Sequence, residues 1–227
     1  MILRSAICVI AFVMGAANAR PDEAGSFTAK PVEQEPPKEL KDPVRALLGN
    51  DAVQVADGKG GVLATFWFRK EIPAQATPDQ VKNGLTYREI APTTVVAAVQ
   101  FPQTWSDFRK QEIPAGVYTL RMAIQPQDGD HMGTAPYNEF VLLSQADMDV
   151  KADTMEVKAL HKLSGNSTGG THPAVLLLFP NPKPDDAPKV TSKTNGIWVL
   201  TVKRPIVAGT EKTTLGFGLT VVGHTTE

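Results

Sequence analysis

Val190-Thr-Ser-Lys-Thr194 and Ile197-Trp-Val-Leu-Thr-Val-Lys203 flank the dipeptide Asn195-Gly196 in the last third of the chain. Asn-Gly between two β-type runs is the strongest short-range signal for a hairpin, because both central residues of the turn need a positive φ. Similar runs, separated by Gly, Pro, Asn and Asp, recur from residue 50 onward. This spacing predicts an antiparallel, all-β chain.

Further strands are predicted on both sides of this hairpin, at residues 62–69, 93–101, 117–125, 139–143 and 214–222. Residues 62–69 form a hairpin with the run before them, and Pro114-Ala115-Gly116 is a turn that enters the next strand. We predict about nine strands and two short helices in total. This pattern favours an antiparallel β-sandwich or jelly roll over a βαβ fold.

Two strand segments carry finer information about packing. Residues 174–179 are continuously apolar, which predicts a central strand covered on both faces. In the last strand, one face is predicted to carry Leu215, Phe217, Leu219 and Val221. The opposite face carries Gly216 and Gly218, and such a pair predicts a close backbone approach or a bend.

Helix signals are confined to short segments. Residues 77–84 suit a short helix, with Thr77 as N-cap, Pro78 at the first position and Gly84 as the stop. Residues 153–163 are the best helix, with a cap at the start and Gly165 after the end. Residues 43–49 predict a single helical turn.

The first nineteen residues predict export. A start containing Arg4, an apolar run and the Ala17-Asn18-Ala19 end are typical of a secretory signal peptide, with cleavage expected after Ala19. The apolar run is too short to span a bilayer, and no later segment is long and apolar enough. The expected location is periplasmic or extracellular. Residues 20–44, rich in Pro and Glu, predict a flexible leader before a single domain at residues 45–227.

Composition narrows the class of protein further. Cys8 is the only cysteine and lies in the predicted signal peptide, so the mature chain forms no disulfide. Secreted animal domains more often carry disulfides, so bacterial export is favoured. The formal net charge is −1 and no basic patch stands out, which argues against nucleic-acid binding.

A polar loop offers a candidate metal site. Asp128, Asp130 and Glu139 match acidic positions of a calcium loop, but Met132 replaces an oxygen ligand and the flanks read as strands, which argues against an EF-hand. A different calcium or zinc site could use Asp128, Asp130, His131, Glu139 and His172. The alternative is that Asp-Gly simply forms a turn and that each His is structural.

Five other residues are candidate ligand contacts: Tyr87, Arg88, Trp105, Arg121 and Tyr137. Trp105 is expected to be the exposed tryptophan, because it lies in a loop-like segment. Core packing and internal ion pairs explain such residues equally well. Residues 165–169 match Gly-x-Ser-x-Gly, but a helix precedes the motif where a nucleophile elbow needs a strand, so no catalytic residue is assigned.

Several stretches resemble a family of secreted bacterial β-sandwich proteins of unknown function. They are Gly84-Leu-Thr-Tyr-Arg-Glu89, Ile113-Pro-Ala-Gly-Val-Tyr-Thr-Leu-Arg121, Gly129-Asp-His-Met-Gly-Thr-Ala-Pro-Tyr-Asn-Glu-Phe140 and Thr171-His-Pro173. The resemblance covers most of residues 50–225. It implies a bacterial exported protein and brings no activity, cofactor or catalytic residue.

Two functional hypotheses follow. The first is a non-enzymatic module that binds a ligand or protein partner at the cell envelope, favoured because no catalytic constellation passes its structural test. The alternative is a metal-dependent extracytoplasmic enzyme of the hydrolase type, built on the Asp128, Asp130 and His131 loop, with calcium or zinc as its cofactor. Metal analysis of the purified protein separates the two.

Overall fold

The computed structural model describes residues 26–125, 135–170 and 172–224. The strands are β1 (Thr28–Glu33), β2 (Asp51–Ala56), β3 (Val62–Phe68), β4 (Ile72–Ala74), β5 (Val95–Phe101), β6 (Trp105–Ser106), β7 (Glu112–Ile113), β8 (Gly116–Ile124), β9 (Glu139–Gln145), β10 (Ala174–Leu177), β11 (Lys189–Ser192), β12 (Trp198–Ala208) and β13 (Glu211–Val222). The helices are α1 (Asp42–Arg45), α2 (Pro78–Asn83) and α3 (Val157–Gly165), with 3₁₀ turns at Tyr87–Glu89 and Thr194–Gly196. Thirteen strands are described where about nine were expected, and the additional ones are the edge strand β1 and the two- to three-residue strands β4, β6 and β7.

Most of the strands belong to two sheets. The larger has seven strands in the order β1-β2-β3-β5-β8-β9-β10, and every neighbouring pair is antiparallel. The smaller joins β11, β12 and β13 by antiparallel pairing and adds β4 parallel to β12. The short strands β6 and β7 pair with each other. The mostly β, mostly antiparallel prediction is confirmed.

Both sheets bury side chains in the same hydrophobic core. The seven-stranded sheet contributes Phe66 and Leu120, while the smaller sheet contributes Leu200. The last strand contributes Leu215, Phe217, Leu219 and Val221. The predicted apolar face of this strand is therefore confirmed, since all four side chains lie in the core.

The other face of the seven-stranded sheet is covered by chain from outside the sheets. Leu40 and Val44 pack around Trp67, whose indole Nε1 donates to the carbonyl of Gln34 at 2.9 Å. Helix α3 covers the same face further along, where Leu160 packs on Leu142. No helix in the described part of the chain is long and apolar enough to cross a membrane.

Strand β1 lies within the stretch that was predicted to be a flexible leader. It forms a six-residue antiparallel ladder with β2, from Thr28 opposite Ala56 to Glu33 opposite Asp51. The low apolar content of this stretch was misleading, because edge pairing uses backbone groups and needs few buried side chains. Residues 28–33 are therefore corrected from leader to strand.

The apolar run at residues 174–179 forms β10, which is the last strand of its sheet and not a central one. Its side chains are nevertheless covered on both faces, since Leu176 lies in the main core and Leu177 in a second apolar cluster. The free edge is covered as well. Phe108 donates its N–H to the carbonyl of Val175 at 3.2 Å, and Leu178 bridges to Leu219. Edge position is thus compatible with a continuous apolar run.

Local turn and cap predictions are confirmed. Asn195 and Gly196 adopt φ of 60° and 70° between β11 and β12, as the Asn-Gly hairpin requires. Helix α2 begins with a capping box between Thr77 and Gln80, and Gly84 follows it with φ of 97°. Helix α1 supplies the predicted single turn after residue 41.

Helix α3 begins four residues later than predicted, at Val157 instead of Asp153. The carbonyls of Lys151 and Asp153 accept hydrogen bonds from Arg121. The backbone N–H and C=O of Met155 bond to the Thr93 hydroxyl. These contacts hold the segment outside the helix, so tertiary bonds override the predicted cap.

Candidate functional site

Two pairs of side chains lie where β9 begins and β10 ends: Arg88 with Glu139, and Tyr137 with Phe179. We call them the Tyr137 cluster. Because β9 and β10 are antiparallel neighbours, the start of one strand and the end of the other lie at the same end of the sheet. The backbone N–H of Leu178 donates to the Glu139 carbonyl at 3.0 Å, which joins the two segments.

Tyr87 holds the segment that carries Phe179 through two hydrogen bonds. Its hydroxyl donates to the Phe179 carbonyl at 2.7 Å and accepts from the Gly218 N–H at 2.9 Å. The side chain is buried against Phe217, with ring centroids 5.3 Å apart. Burial raises the pKa of the Tyr87 hydroxyl, so the group remains a neutral donor. Tyr87 therefore positions the segment that carries Phe179 and has no capacity left for a ligand.

The position of Arg88 is set by a capped 3₁₀ turn. The Thr86 hydroxyl accepts from the Arg88 N–H at 3.2 Å, while the Glu89 carboxylate accepts from the Thr86 N–H at 2.7 Å. This reciprocal cap fixes the backbone just before Arg88. The Arg88 side chain then extends towards β9.

Arg88 and Glu139 form an ion pair in which one side chain is exposed and the other is largely buried. Arg88 Nε lies 3.4 Å from Glu139 Oε1, and the two side chains are 73% and 15% exposed. No described residue bonds to the two Nη atoms of Arg88 or to Glu139 Oε2. The pair therefore retains both donors and an acceptor for hydrogen bonds to another molecule.

Two aromatic rings complete the cluster. Tyr137 and Phe179 meet edge to face, with centroids 5.0 Å apart and an interplanar angle of 67°. Both rings are half-buried and pack on Leu177 and Ile197. The Tyr137 hydroxyl bonds to no described residue. An apolar surface thus lies at the same end of the sheet as an Arg–Glu pair, and such a combination of groups is typical of sites that bind small polar molecules.

Of the candidates from the sequence, Arg88 pairs with Glu139, while Tyr87 and Tyr137 both contact Phe179; Trp105 lies elsewhere. Trp105 is only 8% exposed, which corrects the expectation of an exposed ring. Its indole Nε1 donates to the Val221 carbonyl at 3.0 Å, and its ring stacks on Phe101 at 4.6 Å. The loop-like segment is strand β6, which the pairing with β7 holds against the core.

Arg121 is also remote from the cluster and completely buried. Nε and Nη2 donate to the two carboxylate oxygens of Asp149, at 2.7 and 2.8 Å. The remaining donors go to the carbonyls of Thr93, Lys151 and Asp153. All five N–H donors of the guanidinium are used within the protein, so Arg121 belongs to an internal ion pair.

The predicted metal ligands are mostly outside the described residues, since Asp128, Asp130 and His131 lie in the segment 126–134. His172 is described and exposed, and Glu139 pairs with Arg88. Within the ranges that the structure describes, no three His, Cys, Asp or Glu side chains form a metal-binding group. The calcium or zinc site stays a prediction.

Asp107 is a buried carboxylate that accepts hydrogen bonds from within the protein. It accepts hydrogen bonds from the N–H groups of Arg109, Gln111 and Val175 and from the Gln111 side chain, at 2.8 to 3.0 Å. Burial raises the pKa of Asp107, while these donors act in the opposite direction. The bond to Val175 ties the β6–β7 turn to the free edge of β10.

The Gly-x-Ser-x-Gly match at residues 165–169 does not form a nucleophile site. Ser167 is buried and its hydroxyl donates to the Leu143 carbonyl at 3.3 Å. His224 Nδ1 lies 2.9 Å from the Asp107 carbonyl, and Asp185 pairs with Lys189. Among the residues that the structure describes, no serine hydroxyl, imidazole and carboxylate are joined as a triad requires.

Two shallow clefts lie elsewhere in the described structure. One is lined by α1 and its neighbours, and the other by residues 114–118. In the first, Arg45 pairs with Asp42 at 2.6 Å and Lys70 donates to the Ala46 carbonyl at 3.0 Å. These cations bond within the protein at 2.6 and 3.0 Å, whereas Arg88 makes only a longer contact of 3.4 Å, so we take the Tyr137 cluster as the candidate site.

Phe179 is the cluster residue that sequence reasoning missed. It ends the apolar run at residues 174–179 and was therefore assigned to the buried strand. The signal that could have identified it is Pro180, because a proline directly after an apolar run ends the strand and leaves the last side chain near the surface.

Comparisons with protein-family models, with curated proteins and with solved structures found no match.

A pair of tyrosine substitutions tests this assignment of roles. Tyr87→Phe is expected to lower the free energy of unfolding by about 2 kcal/mol, because it leaves a buried carbonyl and a buried N–H without partners. Tyr137→Phe is the matched control, with an expected change below about 0.5 kcal/mol. Urea unfolding followed by circular dichroism measures both. Equal losses in the two variants would contradict the assignment.

Proposed function

We propose that this protein is an exported bacterial β-sandwich module that binds a ligand non-enzymatically at the cell envelope, with the Tyr137 cluster as its binding site. The observation that carries the proposal is that two half-buried aromatic rings lie at the same end of the sheet as an Arg–Glu pair, whose Arg88 Nη atoms and Glu139 Oε2 bond to no residue that the structure describes. Polar groups fixed beside an apolar surface give a site both orientation and affinity.

The sandwich architecture is supported by the shared core. Side chains such as Phe66 of the larger sheet and Phe217 of the smaller one belong to a single cluster. A second support is Tyr118, whose hydroxyl donates to the Pro114 carbonyl at 2.7 Å. A tyrosine that bonds back to the chain a few residues upstream is the tyrosine corner of immunoglobulin-like sandwiches.

Export is supported by residues 1–19, which combine a positive start, an apolar run and a small-x-small end. Placement of the only cysteine within this segment agrees with a mature domain that is stabilised by its core and not by disulfides.

The experiment is a fragment screen by NMR on the protein made with its residues 1–19 and purified after export, with its N-terminus sequenced. A library of small aromatic and polar fragments serves as the probe. We expect shifted amide signals to concentrate at residues 84–89, 137–140 and 178–181, because ligand sites bind fragments preferentially. Arg88→Ala and Tyr137→Ala should reduce these shifts, whereas the exposed Arg109→Ala should not.

Two outcomes would contradict the proposal. One is a set of shifts centred on either shallow cleft, with none at the Tyr137 cluster. The other is a stoichiometric divalent metal in the purified protein that is lost in His131→Ala, which would favour the metal-dependent enzyme. An N-terminus at Met1 would contradict export alone.

A further inference from the structure

We propose that Met148 is a site of reversible oxidation by peroxides, and that the side-chain amide of Asn166 holds the sulfoxide that forms. Three features of the structure support this site: the exposure of the Met148 side chain, the fixed backbone that carries it, and its contact with Asn166. None of them depends on the Tyr137 cluster or on its ligand.

Methionine is the only oxidisable sulfur outside residues 1–19, because Cys8 is the only cysteine of the chain. The described ranges contain three methionines, and they differ in exposure. Met148 is 43% exposed, whereas Met122 is completely buried in the main core. Met155 is half-buried in the apolar cluster that helix α3 covers. Because oxidation follows access to the sulfur, Met148 is expected to react first of the three.

The backbone that carries Met148 is fixed. The N–H groups of Met148 and Asp149 both donate to the Gln145 carbonyl, at 3.1 and 3.2 Å. The next side chain, Asp149, is held in the interior by Arg121. Because these contacts anchor the turn, the exposed Met148 side chain can react without local unfolding of the chain around it.

The reaction with hydrogen peroxide is a two-electron oxidation of the sulfur. A lone pair of Met148 Sδ attacks one peroxide oxygen, a new S–O bond forms and the O–O bond breaks. The sulfur becomes a sulfoxide, and the other oxygen leaves with both hydrogens as water. Sulfoxide reductases convert methionine sulfoxide back to methionine, so the modification is reversible.

Asn166 provides a hydrogen-bond donor for the product. Its Nδ2 lies 4.0 Å from Met148 Sδ, and its backbone is set by its place as the C-cap residue of α3. A thioether sulfur is only a weak acceptor, whereas a sulfoxide is polar. The added oxygen lies one bond length beyond the sulfur and can come within hydrogen-bond distance of Nδ2. Oxidation therefore replaces a weak N–H···S contact with a stronger N–H···O bond.

The test of the site is a time course of hydrogen peroxide oxidation of the folded full chain, followed by proteolysis and mass spectrometry. We expect the peptide with Met148 to gain one oxygen at least about tenfold faster than the peptide with Met122. Met148→Leu should abolish this fast oxidation, and Met155→Leu, the matched control, should retain it. Oxidation of Met148 no faster than that of Met122 would overturn the proposal.

A second measurement tests the role of Asn166. Thermal unfolding is compared before and after oxidation of Met148 alone, in a Met132→Leu background because Met132 lies outside the described residues. We expect oxidation to lower the unfolding midpoint by about 2 °C more in Asn166→Ala than in the parent, since the sulfoxide there lacks its donor. The exposed Asn83→Ala should behave like the parent. An equal shift in Asn166→Ala and the parent would overturn the role of Asn166.

Discussion

Replacing Arg121 with methionine is expected to lower the free energy of unfolding by about 3–5 kcal/mol. The reason is that Arg121 and Asp149 are both completely buried, with salt-bridge distances of 2.7 and 2.8 Å. Without the guanidinium, the Thr119 hydroxyl, at 2.6 Å, is the one side chain among the described residues that still donates to the Asp149 carboxylate. An uncompensated charge in the protein interior is among the most costly of single changes.

Three backbone carbonyls would lose their partner as well, those of Thr93, Lys151 and Asp153. Arg121→Lys should therefore also be destabilising, because an ammonium group has three donors where the site uses five. Urea unfolding gives the values, with Arg109→Met as the exposed control expected to change stability by less than about 0.5 kcal/mol. The double variant Arg121→Met, Asp149→Leu should recover part of the loss, since it removes both charges. A loss below about 1 kcal/mol in Arg121→Met would contradict this account.

Arg121 also illustrates where sequence reasoning reached its limit. The sequence nominated Arg121 as a ligand contact, with an internal ion pair as the alternative, and the structure places it in such a pair. Its partner Asp149 lies 28 residues away, in the connection between β9 and the predicted helix start at Asp153. Nothing within a few residues of Arg121 shows that Asp149 contacts it. The local sequence therefore does not distinguish a buried ion pair from a ligand contact.

Features that depend on adjacent residues were predictable for a physical reason. The Asn195-Gly196 turn and the Thr77 cap are decided by backbone angles and bonds that span at most a few positions. Strand β1 was missed because its place depends on the free edge of β2. Trp105 was misjudged because its burial depends on Val221, which is 116 residues away.

In the candidate site, too, the residue types were predictable from the sequence, whereas their long-range contacts were not. The sequence nominated Arg88, Tyr137 and Glu139 as functional residue types, but the pairing of β9 with β10 decides that Tyr137 meets Phe179. The contact that fixes this arrangement, from Tyr87 to the Phe179 carbonyl, spans 92 residues. Contacts of that separation follow from strand register, which single-sequence patterns do not encode.

One long-range feature was nevertheless readable from the sequence. Gly216 and Gly218 predicted a close backbone approach, and this prediction is confirmed. A Cβ on Gly216 would lie 2.1 Å from the Asn181 carbonyl oxygen, and one on Gly218 would lie 2.7 Å from the Phe179 carbonyl oxygen. Two glycines on one face of a strand leave a groove, and the chain after β10 occupies it.

Gly216→Ala is therefore expected to lower the free energy of unfolding by about 3 kcal/mol, since the new methyl group overlaps backbone that cannot rotate away. Gly216 is not among the glycines with positive φ, so the loss would reflect the steric clash and not the backbone angle. Gly170→Ala is the matched control, because its Cβ would meet nothing closer than 3.5 Å. Thermal and urea unfolding of both variants measure the difference. If Gly216→Ala is as stable as Gly170→Ala, the chain after β10 does not lie against β13, and the positioning of Phe179 in the Tyr137 cluster fails with it.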